Sequence, residues 1–312
     1  MYIAGMKPFN TLFISLILCN IATAQNSLDI FTVSGRYGLP QAYDSSLSGK
    51  ATEYGIFAGL TLPVVITQQT IWYNSLNYFY FHVDNEPELN IATADPVNLH
   101  GFILRSGLYR KFARGRGIQL LFAPRLMSDL EKVDGKSFQF GGLFMYEKKF
   151  RETLSMSFGL MYNQELFGPY FVPLINVNWQ PAEKWRIAGL LPIYAKISYI
   201  VNDRFNIGMS HFGLITSYAL NDPDYTGDYI ERKSIDLSLY GRYKIAGNFY
   251  IEGRFGRTFG RSYTQYTGDQ KVSWGIPLVT FGDEREQKNI NFDDGIILDF
   301  RVVYNIPIPE EE

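Results

Sequence analysis

The stretch "TLSMSFGLMYNQ", residues 153–164, alternates without a break: Leu154, Met156, Phe158, Leu160 and Tyr162 fall in one phase, Ser155, Ser157, Gly159 and Asn163 in the other. Successive side chains of an extended chain point to opposite faces, so this is a strand with one large apolar face and one small polar face. A soluble sheet hides such an apolar face in a core, whereas a barrel in a lipid bilayer turns it outward. The rest of the chain decides between the two.

Period-two segments recur at 28–38, 52–63, 71–82, 101–111, 117–126, 137–147, 153–163, 171–180, 185–191, 193–201, 204–219, 232–245, 248–261 and 294–305, with no useful helical period between them. Most approach the roughly 10 residues that a tilted strand needs to cross a bilayer. Short connections at 113–117, 148–152, 180–184, 202–204 and 246–248 alternate along the chain with longer polar ones at 39–51, 83–100, 127–136, 164–170, 220–231 and 262–293. A barrel crossing a membrane sorts its connections in this way, with short turns on one side and long loops on the other. The parity depends on one place: the short turns at 180–184 and 202–204 can share a side only if the chain reverses at "LLP", 190–192. Pro192 cannot donate to a ladder and suits a strand end, so the expected fold is an all-β, antiparallel, up-and-down transmembrane barrel of about fourteen strands. A continuous strand over 185–201 would reduce the count to about twelve.

Composition agrees. Aromatic residues make up 16% of the chain, with 24 Phe and 22 Tyr, yet the mean hydropathy is only −0.09, because each barrel strand shows lipid only half its residues. Lys and Arg (29) nearly balance Asp and Glu (31), which gives no electrostatic case for nucleic acid. At the N-terminus Lys7 precedes an apolar run too short to span a membrane, followed by Ala22-Thr23-Ala24, the pattern of a signal-peptidase site. Residues 1–24 are therefore expected to be an export signal cleaved after Ala24, and 25–312 a single barrel domain. The only cysteine, Cys19, lies in the signal, which leaves the mature chain without thiol chemistry.

Several apolar faces end on Tyr or Trp. Phe138, Phe140, Phe144 and Tyr146 share a face, as do Ile175, Val177 and Trp179, and Leu298, Phe300, Val302 and Tyr304. Amphipathic rings favour the headgroup level, so Tyr146, Tyr162, Trp179 and Tyr304 are the expected aromatic girdle. The export signal ending "ATAQN", the Tyr/Phe/Asn-rich strands and the aromatic-ended hairpins resemble outer-membrane barrels of Bacteroidota grouped as families of unknown function. More distantly they resemble channel-type barrels of the phenol-degradation and long-chain fatty-acid transporter kind. That resemblance implies a Gram-negative outer membrane, with lipid and the barrel-insertion machinery as partners. The chain departs from many such barrels at its end, running on from Tyr304 through "NIPIPEEE".

Charges within strands fall on the faces opposite the apolar ones: Arg105, Arg125, Arg186, Lys196, Asp236, Arg242, Glu252, Arg254, Asp299 and Arg301. An Arg or Lys facing the hydrocarbon midplane costs roughly 2–4 kcal/mol, so these positions are expected to line the lumen. They are candidates either for a constriction that selects solutes or for a salt-bridge network that fills the bore. His82, His100 and His211 are scattered without metal-ligand spacing, and Ser210 beside His211 points the other way in a strand, so neither a metal, a cofactor nor a catalytic residue is expected. The acidic segments 221–228 and 291–295 lack the EF-hand spacing and read as solvated loops. Three functions remain. The first is a channel for an unspecified small solute, gated by 262–293 if that loop folds inward. The second is a plugged structural or binding barrel that exposes Tyr43, Tyr225, Tyr263 and Tyr266 on its loops. The third, and least supported, is a lipid-acting barrel enzyme.

Overall fold

A computed structural model describes residues 27–43, 47–86 and 93–307. The expected signal with its cleavage point, Cys19 and the acidic tail 310–312 lie outside the described residues.

Among the described residues the regular structure is β, apart from one 3-10 turn at Gly135–Ser137. Its strands are β1 (Ser27–Ala42), β2 (Lys50–Thr61), β3 (Val64–Thr67), β4 (Thr70–Asn85), β5 (Val97–Phe112), β6 (Arg116–Ser128), β7 (Phe138–Arg151), β8 (Leu154–Glu165) and β9 (Gly168–Ala182). They continue with β10 (Trp185–Leu191), β11 (Tyr194–Asn202), β12 (Phe205–Ala219), β13 (Tyr229–Ala246), β14 (Phe249–Tyr266), β15 (Trp274–Ile276), β16 (Val279–Phe281) and β17 (Ile296–Pro307). Fourteen of them pair antiparallel with their neighbours to form a wall, which closes where β17 meets both β14 and β1. The exceptions are β3, which resumes β2 beyond Pro63 and pairs with β4, and the small β15–β16 hairpin in the last long loop. Closure leaves no free sheet edge around the wall below the level of the short strands β10 and β11.

The chain does reverse at Pro192. β10 and β11 are separate strands in register from Leu190↔Tyr194 to Trp185↔Tyr199, which gives the count of fourteen. Segment 164–170, read from its polar ends as a long loop, is instead a tight turn at Leu166 and Phe167 between β8 and β9. The reason is apolar: Phe167 is buried and packs edge-on against Tyr170.

The opening alternation resolves as a two-sided wall. Phe158, Leu160 and Tyr162 are exposed on the outside, while Ser157 and Asn163 are buried inside. The same outside carries Leu104, Leu108, Leu120, Phe122, Phe140, Phe144, Leu239 and Phe300, all exposed, with Leu120 at 64%. So much exposed apolar surface is rare on a soluble monomer and is expected of a wall facing hydrocarbon.

The bore is filled unevenly. β12 and β13 are 15 and 18 residues long and are fully paired with each other, from Phe205↔Tyr243 to Ala219↔Tyr229. Between β12 and β9 the wall is low, because β10 and β11 have only 7 and 9 residues. Above that dip the β12–β13 hairpin leaves the wall and crosses the bore until Ala219 bridges Ser128 on β6. Both faces of its tip are buried. Tyr218 and Ile230 join Phe81, Val83, Leu99 and Met127 on one side, and Tyr229 joins Phe167, Tyr170 and Val172 on the other. Each large apolar side chain taken out of water in this way stabilises by roughly 1.5–3 kcal/mol, which accounts for the hairpin sitting inside.

Candidate functional site

Two carboxylates organise the inner face. Glu53 on β2 is fully buried and is reached by Arg36 Nε of β1 at 3.2 Å, Arg232 Nη2 of β13 at 3.2 Å and Arg261 Nη1 of β14 at 2.9 Å. The Tyr263 hydroxyl donates to it at 2.8 Å, and Arg36 also bonds Asp236. Closer to the short-turn end, Glu252 on β14 is fully buried and takes Lys196 Nζ of β11 at 2.8 Å and Arg254 Nη2 at 2.6 Å. Arg301 Nη1 of β17 stands 3.6 Å from it and Arg242 Nε of β13 3.8 Å. Arg242 also donates to Asp29 at 2.6 Å, and Arg301 Nε lies 3.8 Å from Asp299. A buried carboxylate is stable only when charge and hydrogen bonds compensate its lost hydration, and both of these are surrounded by cations.

Six of the ten sequence candidates, Lys196, Arg242, Glu252, Arg254, Asp299 and Arg301, thus meet in the Glu252 cluster. Asp236 belongs instead to the Glu53 cluster. Arg186 faces inward on β10 opposite Ser198. Arg125 on β6 pairs at 2.9 Å with Glu165, whose other oxygen accepts from the Ser217 backbone and hydroxyl at 2.9 and 2.8 Å. This fixes the inserted hairpin to the opposite wall. Arg105 faces inward on β5 opposite Ser75, with no ion pair among the described residues. Sequence reasoning missed Glu53, Arg36, Arg232, Arg261 and Glu165. For Glu53 the signal was available, since Ala51, Glu53 and Gly55 alternate with Tyr54 and Ile56.

The loops also depart from expectation. Tyr43 and Tyr263, taken as exposed contact residues, are buried to 5% and 1% exposure, because Phe292 packs against both rings. Tyr225 and Tyr266 are partly buried against the two apolar clusters. The acidic segments are not freely solvated either. Asn221 and Asp228 are buried, Asp228 bonds Lys288 at 2.6 Å, and Asp294 accepts from the Gly260 and Arg261 amides at 2.8 Å. The element entering the bore is the β12–β13 hairpin, whereas Ser262–Tyr266 extend β14 and the rest of that segment folds over the hairpin. Arg285 pins it there, donating to Glu231 at 2.6 Å, Tyr229 at 3.1 Å and Asp283 at 2.8 Å. The hydrogen bonds and charge of Arg285 hold the Asp283 carboxyl down at about 2.

His211 turns outward, its Nε2 at 2.7 Å from the Pro192 carbonyl, while Ser210 is buried inside. Tyr146, Tyr162 and Trp179 are exposed on the outer surface, and Tyr304 stacks edge-on with the exposed Phe249. A further aromatic row, absent from the sequence reading, crosses the outside near the long-loop end through the register pairs Tyr37↔Tyr54, Tyr54↔His82 and His82↔Asn98.

A closed wall with an apolar outside and a charged inside defines the class, a transmembrane-type β-barrel. The chain belongs to the family described as a domain of unknown function, DUF6268, whose model matches residues 24–273. None of the curated proteins matches it. Among solved structures it is similar to an outer-membrane channel from Pseudomonas putida F1, at 9% identity over 93% of this chain and 100% of that one, with a TM-score of 0.45. It is also similar to a mutant of the TodX monoaromatic hydrocarbon channel, at 11% identity over 92% and 91% of the two chains and a TM-score of 0.37. A third is a fatty-acid-transporter (FadL) homologue from Pseudomonas aeruginosa, at 10% identity over 88% and 74% and a TM-score of 0.33.

Proposed function

We propose that this barrel sits in a Gram-negative outer membrane and is a gated channel for small polar solutes. The short turns would face the periplasm, and the β12–β13 hairpin would form the closed gate. The observation that carries this reading is the contrast between the two halves of the bore. On the long-loop side the inserted hairpin buries both of its faces, whereas below the hairpin, on its short-turn side, Lys196 keeps a quarter of its side-chain surface. Water therefore reaches the charged wall from one end. The Glu252 cluster would act as the selecting constriction, because Arg254, Arg301 and Lys196 surround one carboxylate and leave the ring cationic. Tyr146, Trp179 and Tyr304 would lie at the periplasmic interface and Tyr162 at the other, matching the amphipathic preference of their rings.

Conductance of the refolded protein in a planar bilayer tests the reading, with heat-modifiable gel migration as the check that a barrel has formed. Stepwise openings whose ion preference shifts towards cations in Arg254→Gln/Arg301→Gln are expected. A correctly migrating barrel that never opens would favour the second reading, a plugged barrel that binds, for which the two-sided burial of the hairpin is the specific support.

A further inference from the structure

Arg105 and Arg125 lie diagonally across the β5–β6 ladder on the inner face, between the register pairs Ile103↔Arg125 and Ser106↔Phe122. Like charges so placed repel unless an anion stands between them. Arg125 is 5% exposed and spends only Nη1 on Glu165; its Nε and Nη2 are buried with no hydrogen-bond partner. Among the described residues Arg105 has no carboxylate partner. The ionisable groups that act on it are Tyr73 of β4, Arg125, and Tyr194 of β11, which faces it from across the bore. Its register partner on β4 is Ser75, so neither flanking strand offers an acid there. Arg36, Arg232, Arg261, Arg242, Arg254 and Arg301 of the inner face each have a carboxylate of Glu53, Asp236, Asp29 or Glu252 within 4 Å, whereas Arg105 has none among the described residues. Unused guanidinium donors beside two phenol hydroxyls are the donor set for a small oxyanion, and Arg is suited to it by its planar fork.

We infer that Arg105, with the Tyr73 and Tyr194 hydroxyls and the field of Arg125 behind it, binds a small oxyanion of the phosphate type in the lumen beneath the inserted hairpin. This deepens the channel reading by naming a solute class, and it rests on that reading only for the route of entry. The anion enters from the short-turn end, below the hairpin, and replaces water on Arg105.

The test is thermal stability of the refolded barrel in detergent, titrated with inorganic phosphate against chloride at equal ionic strength. A ligand that binds only the folded state raises the melting temperature saturably. The wild type should show this rise, and Arg105→Gln should need about tenfold more phosphate or lose the effect, as expected for removal of a charged hydrogen-bond donor. Arg151→Gln, which removes an exposed charge outside the bore, should behave as wild type. No rise in the wild type, or an equal rise in Arg105→Gln, overturns the inference. Should Arg105→Gln not form a barrel, Tyr194→Phe decides: weakened phosphate binding supports the site, and unchanged binding overturns it. A barrel that binds phosphate yet stays electrically silent keeps the site and removes the channel; a conducting barrel indifferent to phosphate does the reverse.

Discussion

The Asp129 amide donates to the Ala219 carbonyl at 3.0 Å, although five wall strands, β7 to β11, separate β6 from β12. This contact spans the bore, and it exists because the low β10–β11 wall leaves the edge of β12 free to turn inward. Asn221 completes the attachment, its amide donating to Asp129 at 2.6 Å and its side chain to Ser128 at 3.0 Å. The hairpin is thereby held at its tip by hydrogen bonds, along its faces by apolar packing, and at its flank by Glu165.

Glu165→Ala should loosen that hold. It leaves Arg125 buried without its acid and frees the Ser217 amide and hydroxyl, a kind of loss that typically costs about 3–5 kcal/mol. The expected outcome is a lower urea midpoint together with more frequent openings in a planar bilayer. Unchanged gating in a folded variant would mean that the hairpin is not the gate.

Glu53→Gln should be among the most damaging single changes in the wall, since three arginines converge on that carboxylate. Leaving buried cations uncompensated predicts a loss of about 3–5 kcal/mol in equilibrium unfolding from vesicles. Removing Glu152 from its exposed pair with Lys149 should cost under about 1 kcal/mol, because solvent screens that pair. Similar losses for the two would contradict the account of the interior.

Phe144→Arg distinguishes a lipid-facing wall from a soluble one. Phe144 is half exposed at mid-strand on β7, where an arginine in hydrocarbon costs about 2–4 kcal/mol but in water would cost almost nothing. Folding yield into vesicles, compared with stability in detergent, gives the answer. A variant as stable as wild type in the bilayer would remove the membrane assignment.

The loop covering the hairpin should respond to acid through Asp283. Its carboxyl is held at about 2, below the ordinary 3.8, so its share of stability is fully present above pH 3.8 and is lost as the pH falls through 2. Asp283→Asn should increase proteolysis within 267–295 at neutral pH, measured with a protease active across the range. The difference from wild type should close only between pH 3.8 and 2, and a difference that closes near pH 5 would point to another carboxylate.

The strands were legible in the sequence because a two-sided wall writes its period into every segment. Leu154 to Tyr162 alternate since one side meets lipid and the other the bore, a constraint local to each strand. The reversal at Pro192 was legible for a similar reason, because a residue without an amide hydrogen marks where a ladder stops. The candidate charges were located by the cost of facing hydrocarbon, which applies to one residue at a time. What the sequence could not carry was partnership across the bore. Glu53 and Arg232 are 179 positions apart, and Tyr43 and Tyr263 read as loop tyrosines until Phe292 is placed between them. The inserted hairpin was hidden for the same reason. Ile215–Ala219 and Tyr229–Ile230 lose their simple alternation because both faces are buried, and in a sequence that resembles the start of a loop. Strand period, wall count and the sidedness of charge were thus determined by the sequence itself, since each follows from a residue's own solvent. Which carboxylate answers which arginine, and what closes the bore, was decided only by tertiary structure, because those energies depend on groups brought together from distant strands.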